Sequence, residues 1–361
     1  MPTWLTENIY YKSSEYFQAL LLEIRNAQKT IDLETYIFQD DNLGQQVIQE
    51  LLIASNKGVA VRLIVDGFGS YFWISNLKTI LKNSKIQLKV FRPFLFFQPS
   101  RWQWLRVDLI LKAFSHANKR LHRKTCTIDG KILFAGSFNV TAEPNRDTGV
   151  RVTGLEIQNL QNSFKKIWAN LWIISKIPIT NRTSALRLND SLKKRLLYNA
   201  DLAEQIKKAK RRIWITNAYF VPPPFILKAL NLASLKKLDI QLLLPARSDS
   251  KFMKFLTETY YSGLLQSGIR IFEFQNRFLH AKTLLIDEWA IVGTSNMNHR
   301  SLFHDYEIDV VLTLQTSLDS LSSQFEIDKL NSTEIKLHDL SQLKLFNRFA
   351  GWLMHLFRYW L

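Results

Sequence analysis

The octapeptide His122-Arg-Lys124-Thr-Cys-Thr-Ile-Asp129 returns 158 residues later as His280-Ala-Lys282-Thr-Leu-Leu-Ile-Asp287. Each copy follows a Leu and precedes a small-residue turn ending in Asn: Gly136-Ser137-Phe138-Asn139 and Gly293-Thr294-Ser295-Asn296. A single His in such a frame reads as a buried core residue. Two copies in one frame read as architecture, because self-similarity marks duplicated structural units. The chain is thereby constrained to two similar halves, each supplying one His, one Lys and one Asn.

The likeness extends beyond the motifs. Asn26-Ala-Gln-Lys-Thr-Ile-Asp-Leu-Glu-Thr-Tyr-Ile-Phe38 parallels Lys208-Ala-Lys-Arg-Arg-Ile-Trp-Ile-Thr-Asn-Ala-Tyr-Phe220. Both read as a helix end feeding a strand of alternating apolar residues. A helical stretch follows in each half, over 43–56 and 224–234, and then a second strand, over 59–65 and 238–244. Strand, helix and strand at this spacing predict an α/β fold, with a mixed β-sheet flanked by helices in each half. Within each motif His and Lys lie two apart, so a strand places both on one face. Asp129-Gly130 signals a hairpin turn, with the Gly136 segment as the returning strand. The second turn is one residue shorter, since His122 to Asn139 spans 17 positions and His280 to Asn296 spans 16. The expected boundaries are a first domain over 1–174, with an aromatic and basic insertion at 94–120, and a Ser/Thr-rich linker over 175–190. A second domain then covers 191–330 and a C-terminal amphipathic tail 331–361.

A chain of 361 residues, 47% hydrophobic and 22% charged, suits two folded domains with their own cores. Its one cysteine, Cys126, excludes an internal disulfide framework and reads as a packing residue. The first residues show neither a basic n-region nor an apolar run, so no signal peptide is expected. No apolar stretch approaches the roughly 18 residues that a spanning helix needs. The formal charge of +17 seeks polyanions, and nucleic acid and anionic lipid both qualify.

Two histidines, two lysines and two asparagines are what phosphodiester chemistry needs. The diester's anionic oxygens repel nucleophiles, and its alkoxide leaves poorly. One neutral imidazole can attack phosphorus and become a phosphohistidine while the other, protonated, donates to the leaving oxygen. His122 and His280 are the candidates. Lys124, Lys282, Asn139 and Asn296, with Ser137 and Ser295 of the same turns, are candidates to hold the phosphate oxygens, so the scheme calls for no metal or cofactor. No His/Asp/Glu cluster at metal-ligand spacing is visible. Asp147 and Glu307, 25 and 27 residues after the histidines of their own copies, are candidates to orient the imidazoles. Asp129 and Asp287 complete the candidate catalytic set, although their place at a turn gives them a structural job as the first reading. The other five histidines, His116, His299 and His304 among them, fall outside the repeated frame and read as surface or capping residues.

On these residues the chain resembles the phospholipase D superfamily, whose mark is a doubled His-x-Lys-x4-Asp with a trailing Gly-x-x-Asn. Further segments are similar to bacterial cardiolipin synthases: Ile31-Asp-Leu-Glu-Thr-Tyr-Ile-Phe38, Val65-Asp-Gly-Phe-Gly-Ser70, Asp147-Thr-Gly-Val-Arg151, Asn217-Ala-Tyr-Phe220 and Gly293-Thr-Ser-Asn-Met-Asn298. The resemblance runs from about residue 15 to about 312. It implies two phospholipase D-like domains packed as a pseudo-two-fold pair, with the active site between them and His122 as nucleophile. It implies phosphatidyl transfer between phospholipids, with hydrolysis to phosphatidic acid as the alternative and a metal-independent nuclease as the third reading. Ser137-Phe138 stand where such synthases carry Gly and an aliphatic residue, and Asn298 where they carry Asp. The N-terminal transmembrane pair of some synthases has no counterpart. The expectation is therefore a short, peripheral enzyme on the cytoplasmic face of a bacterial inner membrane, with anionic phospholipids as partners and its oligomeric state open.

Two segments bear on lipid against nucleic acid. Between Phe94 and Lys124, seven Lys/Arg accompany one acid, Asp108, and residues 94–114 carry six aromatics. That mixture suits an interfacial lip, base stacking over a phosphate track, or a packed subdomain. Near the C-terminus, Leu345, Phe346, Phe349, Trp352, Leu353, Leu356, Phe357 and Trp360 follow helical spacing, flanked by Lys344, Arg348, His355 and Arg358. This reads as an in-plane membrane helix or as a terminal helix docked on the core, and it favours lipid over nucleic acid.

Overall fold

The computed structural model describes residues 4–93, 119–170 and 184–342. Most of the 94–120 insertion, His116, and the apolar tail residues from Leu345 to Trp360 lie outside them. The first half builds a seven-stranded sheet from β1 (Thr6–Tyr10), β2 (Thr30–Thr35), β3 (Ala60–Asp66), β4 (Gln87–Phe91), β5 (Thr125–Ile128), β6 (Ile132–Gly136) and β7 (Gly149–Thr153), in the order β1-β7-β6-β5-β2-β3-β4. The second half repeats it with β8 (Leu186–Leu188), β9 (Arg212–Thr216), β10 (Asp239–Pro245), β11 (Arg270–Phe274), β12 (Thr283–Ile286), β13 (Trp289–Gly293) and β14 (Ile308–Leu312), and adds β15 (Ser332–Ile335). The order there is β15-β11-β10-β9-β12-β13-β14-β8.

In each sheet the strand–helix–strand unit is parallel, Ile31 pairing Val61 and Ile213 pairing Ile240, while the motif hairpins run antiparallel. The sheets are therefore mixed. The helices Asn42–Asn56 and Pro224–Ser234 occupy the expected crossovers. Asp41 starts the first by accepting from Gly44 N at 2.9 Å. Pro223 and Pro224 start the second, where a missing N–H costs nothing.

Alternation along the strands sorts side chains into separate cores. On β6, Ile132 and Phe134 face the helices, whereas Leu133 and Ala135 face the other sheet. Val150 and Val152 of β7 join them against Ala290, Val292, Ile308, Val310 and Leu312 of β13 and β14. One continuous core thus joins the two sheets face to face. The halves also interlock at their edges. The helix Ile157–Trp168 packs on β8 of the second sheet, and the helix Gln315–Leu330 packs on β1 of the first. Trp4 donates its indole N–H to Val311 O at 2.9 Å across the same boundary.

Three expectations change. Leu186–Leu188, inside the expected linker, is a strand paired to β14. Ser332–Ile335, inside the expected amphipathic tail, is a strand antiparallel to β11. The motif strands begin at Thr125 and Thr283, one residue after each Lys, so His and Lys belong to the extended lead-in rather than to the ladder. Cys126 is buried among the apolar residues behind β5, as read from the sequence.

Candidate active site

Each motif histidine is set in place by the opposite half. Leu121 forms a parallel bridge with Tyr306, and Leu279 forms the equivalent bridge with Arg146. His122 N donates to Tyr306 O at 3.0 Å, and His280 N donates to Arg146 O at 2.9 Å. The residue after each bridge partner is a carboxylate. His122 Nδ1 lies 2.9 Å from Glu307 Oε2, and His280 Nδ1 lies 2.7 Å from Asp147 Oδ1. The sequence spacing paired each acid with the histidine of its own copy; the structure crosses them. The reason is topological. The acid precedes the last long strand of its own sheet (β7 or β14), and these strands form the inter-sheet core, so they carry their carboxylates to the neighbouring half.

The lysines act on both histidines, and Asn296 lines a small cleft together with Lys282. Lys124 Nζ donates to His122 O at 2.7 Å, and Lys282 Nζ donates to His280 O at 2.5 Å. Lys124 also lies 5.3 Å from the centre of the Tyr36 ring, which packs on the His122 ring at 5.1 Å and 64°. Asn139 Oδ1 accepts from Ile37 N at 3.3 Å, and Asn296 Oδ1 is buried with no hydrogen-bond partner. Both asparagines are nearly buried.

The serines do something other than expected. Ser137 Oγ accepts from Thr148 N at 2.9 Å, and its counterpart is not Ser295 but Thr294, which accepts from Ile308 N at 2.9 Å. Thr294 also donates to Glu307, and Ser137, whose hydroxyl donates to Thr148 O at 3.2 Å, helps hold Asp147 ionised. Ser295 Oγ is committed to Asp309 Oδ2 at 2.7 Å. These hydroxyls position carboxylates rather than facing phosphate. Position within the repeat, Gly-Ser against Gly-Thr, was the available signal for Thr294. The preceding glycines are fixed by close approach: a Cβ on Gly136 would meet Gly149 Cα at 2.5 Å, and one on Gly293 would meet Asp309 Oδ1 at 2.0 Å.

The motif aspartates lie at the turns, away from the imidazoles. Asp129 (φ 51°) accepts from the backbone N–H groups of Gln28, Lys29 and Thr30 at 2.7–2.9 Å. Asp287 (φ 49°) does the same for Lys210, Arg211 and Arg212 at 2.8–3.0 Å. Each staples the motif turn to the residues that open the neighbouring antiparallel strand, β2 or β9. Their geometry is structural, the first of the two readings.

Burial governs the electrostatics. It holds His122 well below its usual value, reinforced by the charges of Lys124, Lys282 and His280. Burial and Lys282 also lower His280, against the pull of Asp147. Lys124 is lowered to about 8 by burial, and Lys282 well below its usual value by burial and Lys124. Glu307 is pushed up to about 7 by burial. Burial also opposes ionisation of Asp147, but the charge and hydrogen bond of His280 hold it below the usual carboxylate range. The two His–acid pairs are therefore unequal: Glu307 leans neutral, whereas Asp147 is ionised beside an imidazole that burial keeps below its usual value.

Two further acids escaped the sequence reading, although Asp66 lay in a segment singled out. Asp66 Oδ2 accepts from Leu121 N at 2.9 Å, and Asp305 Oδ1 accepts from Arg120 N at 2.8 Å. Together they hold the backbone leading into His122. Among the described residues, no group of three or more His, Cys, Asp or Glu is arranged to hold a metal ion. No helix among them is long and apolar enough to cross a membrane.

A family model described as cardiolipin synthase, PLD-like domain, matches residues 20–168 and 202–329. A cardiolipin synthase of Clostridium perfringens is 30% identical over 94% of this chain and 74% of its own length. One of Halalkalibacterium halodurans is 30% identical over 89% of this chain and 65% of its own length. In three dimensions the chain is similar to phosphatidylserine synthase of Haemophilus influenzae, with a TM-score of 0.69 at 13% identity, over 98% of this chain and 95% of that one. Polyphosphate kinase of Porphyromonas gingivalis gives 0.64 at 15% identity, over 93% of this chain and 49% of that one. At such identities the structural likeness is one of fold.

Proposed function

The chain belongs to the phospholipase D-like family of cardiolipin synthases, and from that membership we propose that it moves a phosphatidyl group between phospholipids through a phosphohistidine on His122. The observation that carries the residue roles is the unequal, crossed pair of His–carboxylate contacts. With Nδ1–H given to Glu307, His122 keeps its lone pair on Nε2, and burial beside two lysines keeps it neutral. His280, on an ionised Asp147, is the better proton carrier once an anionic phosphate enters beside it.

In the first step His122 Nε2 forms the N–P bond. The P–O bond to the leaving alcohol breaks, and that oxygen takes the proton of His280. In the second step the acceptor hydroxyl gives its proton to His280 and forms the new O–P bond, and the N–P bond breaks. Both histidines return to their starting states. Lys124 and Lys282 neutralise the phosphate oxygens, and an incoming phosphate restores the charge that burial disfavours. Asn139 and Asn296 hold those oxygens with their amides. The net charge of +17 favours work at an anionic membrane surface, on the cytoplasmic face of a bacterial inner membrane.

Lipid mass spectrometry of cells lacking cardiolipin tests the reading. Expression of this chain is expected to restore cardiolipin. Folded protein with unchanged cardiolipin and no phosphatidic acid overturns it; phosphatidic acid alone makes the enzyme a hydrolase.

A further inference from the structure

A cavity of about 750 Å³ opens beside the second half, outside the catalytic centre. Its wall is mainly apolar, built from Val221, the prolines 222–224, Leu227, Leu232 and Leu235, and Tyr260 closes one side. The titratable groups on that wall are Lys228 and His299, Tyr260 apart, and no carboxylate lines it. Leu232 and Leu235, in the last turn of the helix Pro224–Ser234 and at its C-cap, are 42% and 79% exposed, which leaves apolar surface at the cavity mouth.

The cavity is joined to the reaction centre by a row of rings. Phe278 lies 5.7 Å from the His280 ring, centre to centre, and Tyr219 lies 6.1 Å beyond Phe278. Tyr219 and Tyr260 both pack on the cluster of Val221, Met253 and Leu256, and Val221 and Tyr260 are themselves cavity wall. Val221 N donates to Met297 O at 3.0 Å, which ties the wall to the loop carrying Asn296. Phe278 and Tyr219 thus form an aromatic path between His280 and the cavity wall.

We propose that this cavity seats an acyl chain of the acceptor phospholipid, on the His280 side of the phosphorus. The inference rests on the phosphatidyl-transfer reading above and deepens it. In that mechanism the leaving alcohol and the acceptor hydroxyl both occupy the His280 side, opposite His122, and the row of rings reaches the cavity from His280. An apolar wall with a lysine and no acid suits an anionic amphiphile. The seated lipid presents its hydroxyl, whose proton passes to His280 as its oxygen takes phosphorus from His122 Nε2. An anchored hydroxyl outcompetes water by effective concentration, so the cavity sets transfer against hydrolysis.

Asn231→Trp fills the cavity from an exposed helix position, and Lys228→Glu reverses its charge without changing its shape. Vesicles of phosphatidylglycerol, with and without added ethanol, report cardiolipin, phosphatidic acid and phosphatidylethanol. For Asn231→Trp, cardiolipin is expected to fall at least about tenfold, the scale on which an altered apolar pocket discriminates. Phosphatidic acid and phosphatidylethanol are expected to hold or rise. Lys228→Glu is expected to shift the ratio in the same direction, by less. Unchanged cardiolipin in both variants overturns the proposal. A parallel fall in all three products also overturns it, because the cavity then serves the donor or the fold. If the unaltered protein forms none of the three, the phosphatidyl-transfer reading itself has failed, and this inference falls with it.

Discussion

Glu307 Oε2 stands 2.9 Å from Nδ1 of His122, a residue 185 positions earlier in the chain and belonging to the other half. The reciprocal contact joins Asp147 to His280. Neither half holds a histidine with its own carboxylate, so the folded interface between the halves is itself part of the catalytic apparatus.

The crossing predicts which step each acid serves. Glu307→Gln is expected to slow phosphorylation of His122, by about 10²- to 10⁴-fold if it follows other His–carboxylate pairs. Asp147→Asn is expected to leave labelling with an activated substrate closer to normal and to slow turnover after it. Rapid-quench labelling separates the two. If Asp147→Asn alone blocked labelling, Asp147 would be the acid serving His122.

Two buried groups bracket the working pH of the free enzyme. Glu307, near 7, gains a proton as the pH falls and then accepts only as a neutral acid, which weakens its hold on His122. Lys124, near 8, loses its proton as the pH rises and no longer neutralises phosphate. The expected kcat/KM profile is a narrow bell between those limbs. Lys124→Arg should lower the maximum and shift the alkaline limb, because a guanidinium stays charged while Lys282 still loses its proton. A profile flat from about pH 6 to 9 contradicts this assignment.

The turn aspartates should behave as staples. Asp129→Asn and Asp287→Asn each weaken three charge-assisted backbone bonds at partly solvated sites, so a loss of about 1–2 kcal/mol apiece is expected, with kcat within a few-fold. Both carboxylates are held below their usual value: burial opposes this, but the backbone N–H groups outweigh it. Their contribution is therefore complete above the unfolded value near ~4 and is lost as the pH falls through the folded value. Denaturant midpoints against pH should show wild type and variant converging in acid. A large kcat loss with unchanged stability would return these residues to the chemistry.

Arg146 ties the site to its frame. Its guanidinium makes two bonds to Asp328, Nε at 3.0 Å and Nη2 at 2.6 Å, both residues being buried, while its carbonyl receives His280 N. Arg146→Met alone strands a buried carboxylate, for an expected cost of about 3–5 kcal/mol. Adding Asp328→Leu should recover much of that stability. A double variant no more stable than the single one would place the cost in backbone distortion instead.

Much of this was legible in the chain because it is local. Alternation in Val61-Arg-Leu-Ile-Val65, the prolines before residue 224 and the one-residue difference between the motif turns depend on neighbours a few positions apart. The crossing of Glu307 to His122 depends on how two sheets meet, and no spacing encodes that. β8 escaped because three residues, Leu186-Arg-Leu188, carry too short a pattern to stand out from a polar linker. Ser295 was matched to Ser137 by residue type, whereas the fold matches by position, and position selects Thr294.

The two histidines are equivalent by motif but not by surroundings, and their removal should distinguish them. Without His280 the nucleophile survives, and a substrate with a good leaving group needs little acid help. His280→Ala should therefore phosphorylate His122 and accumulate the intermediate, because no base remains to activate the acceptor. Without His122 no covalent species should form with any substrate. The expected pattern is acid-labile, base-stable label on His280→Ala and none on His122→Ala. Glu307→Gln in the His280→Ala background should suppress that label, since Glu307 is the acid on the histidine that carries it. Asp147→Asn in the same background should leave it, since its partner is already gone. Label found on His122→Ala instead would exchange the two roles, and label on neither would remove the covalent mechanism.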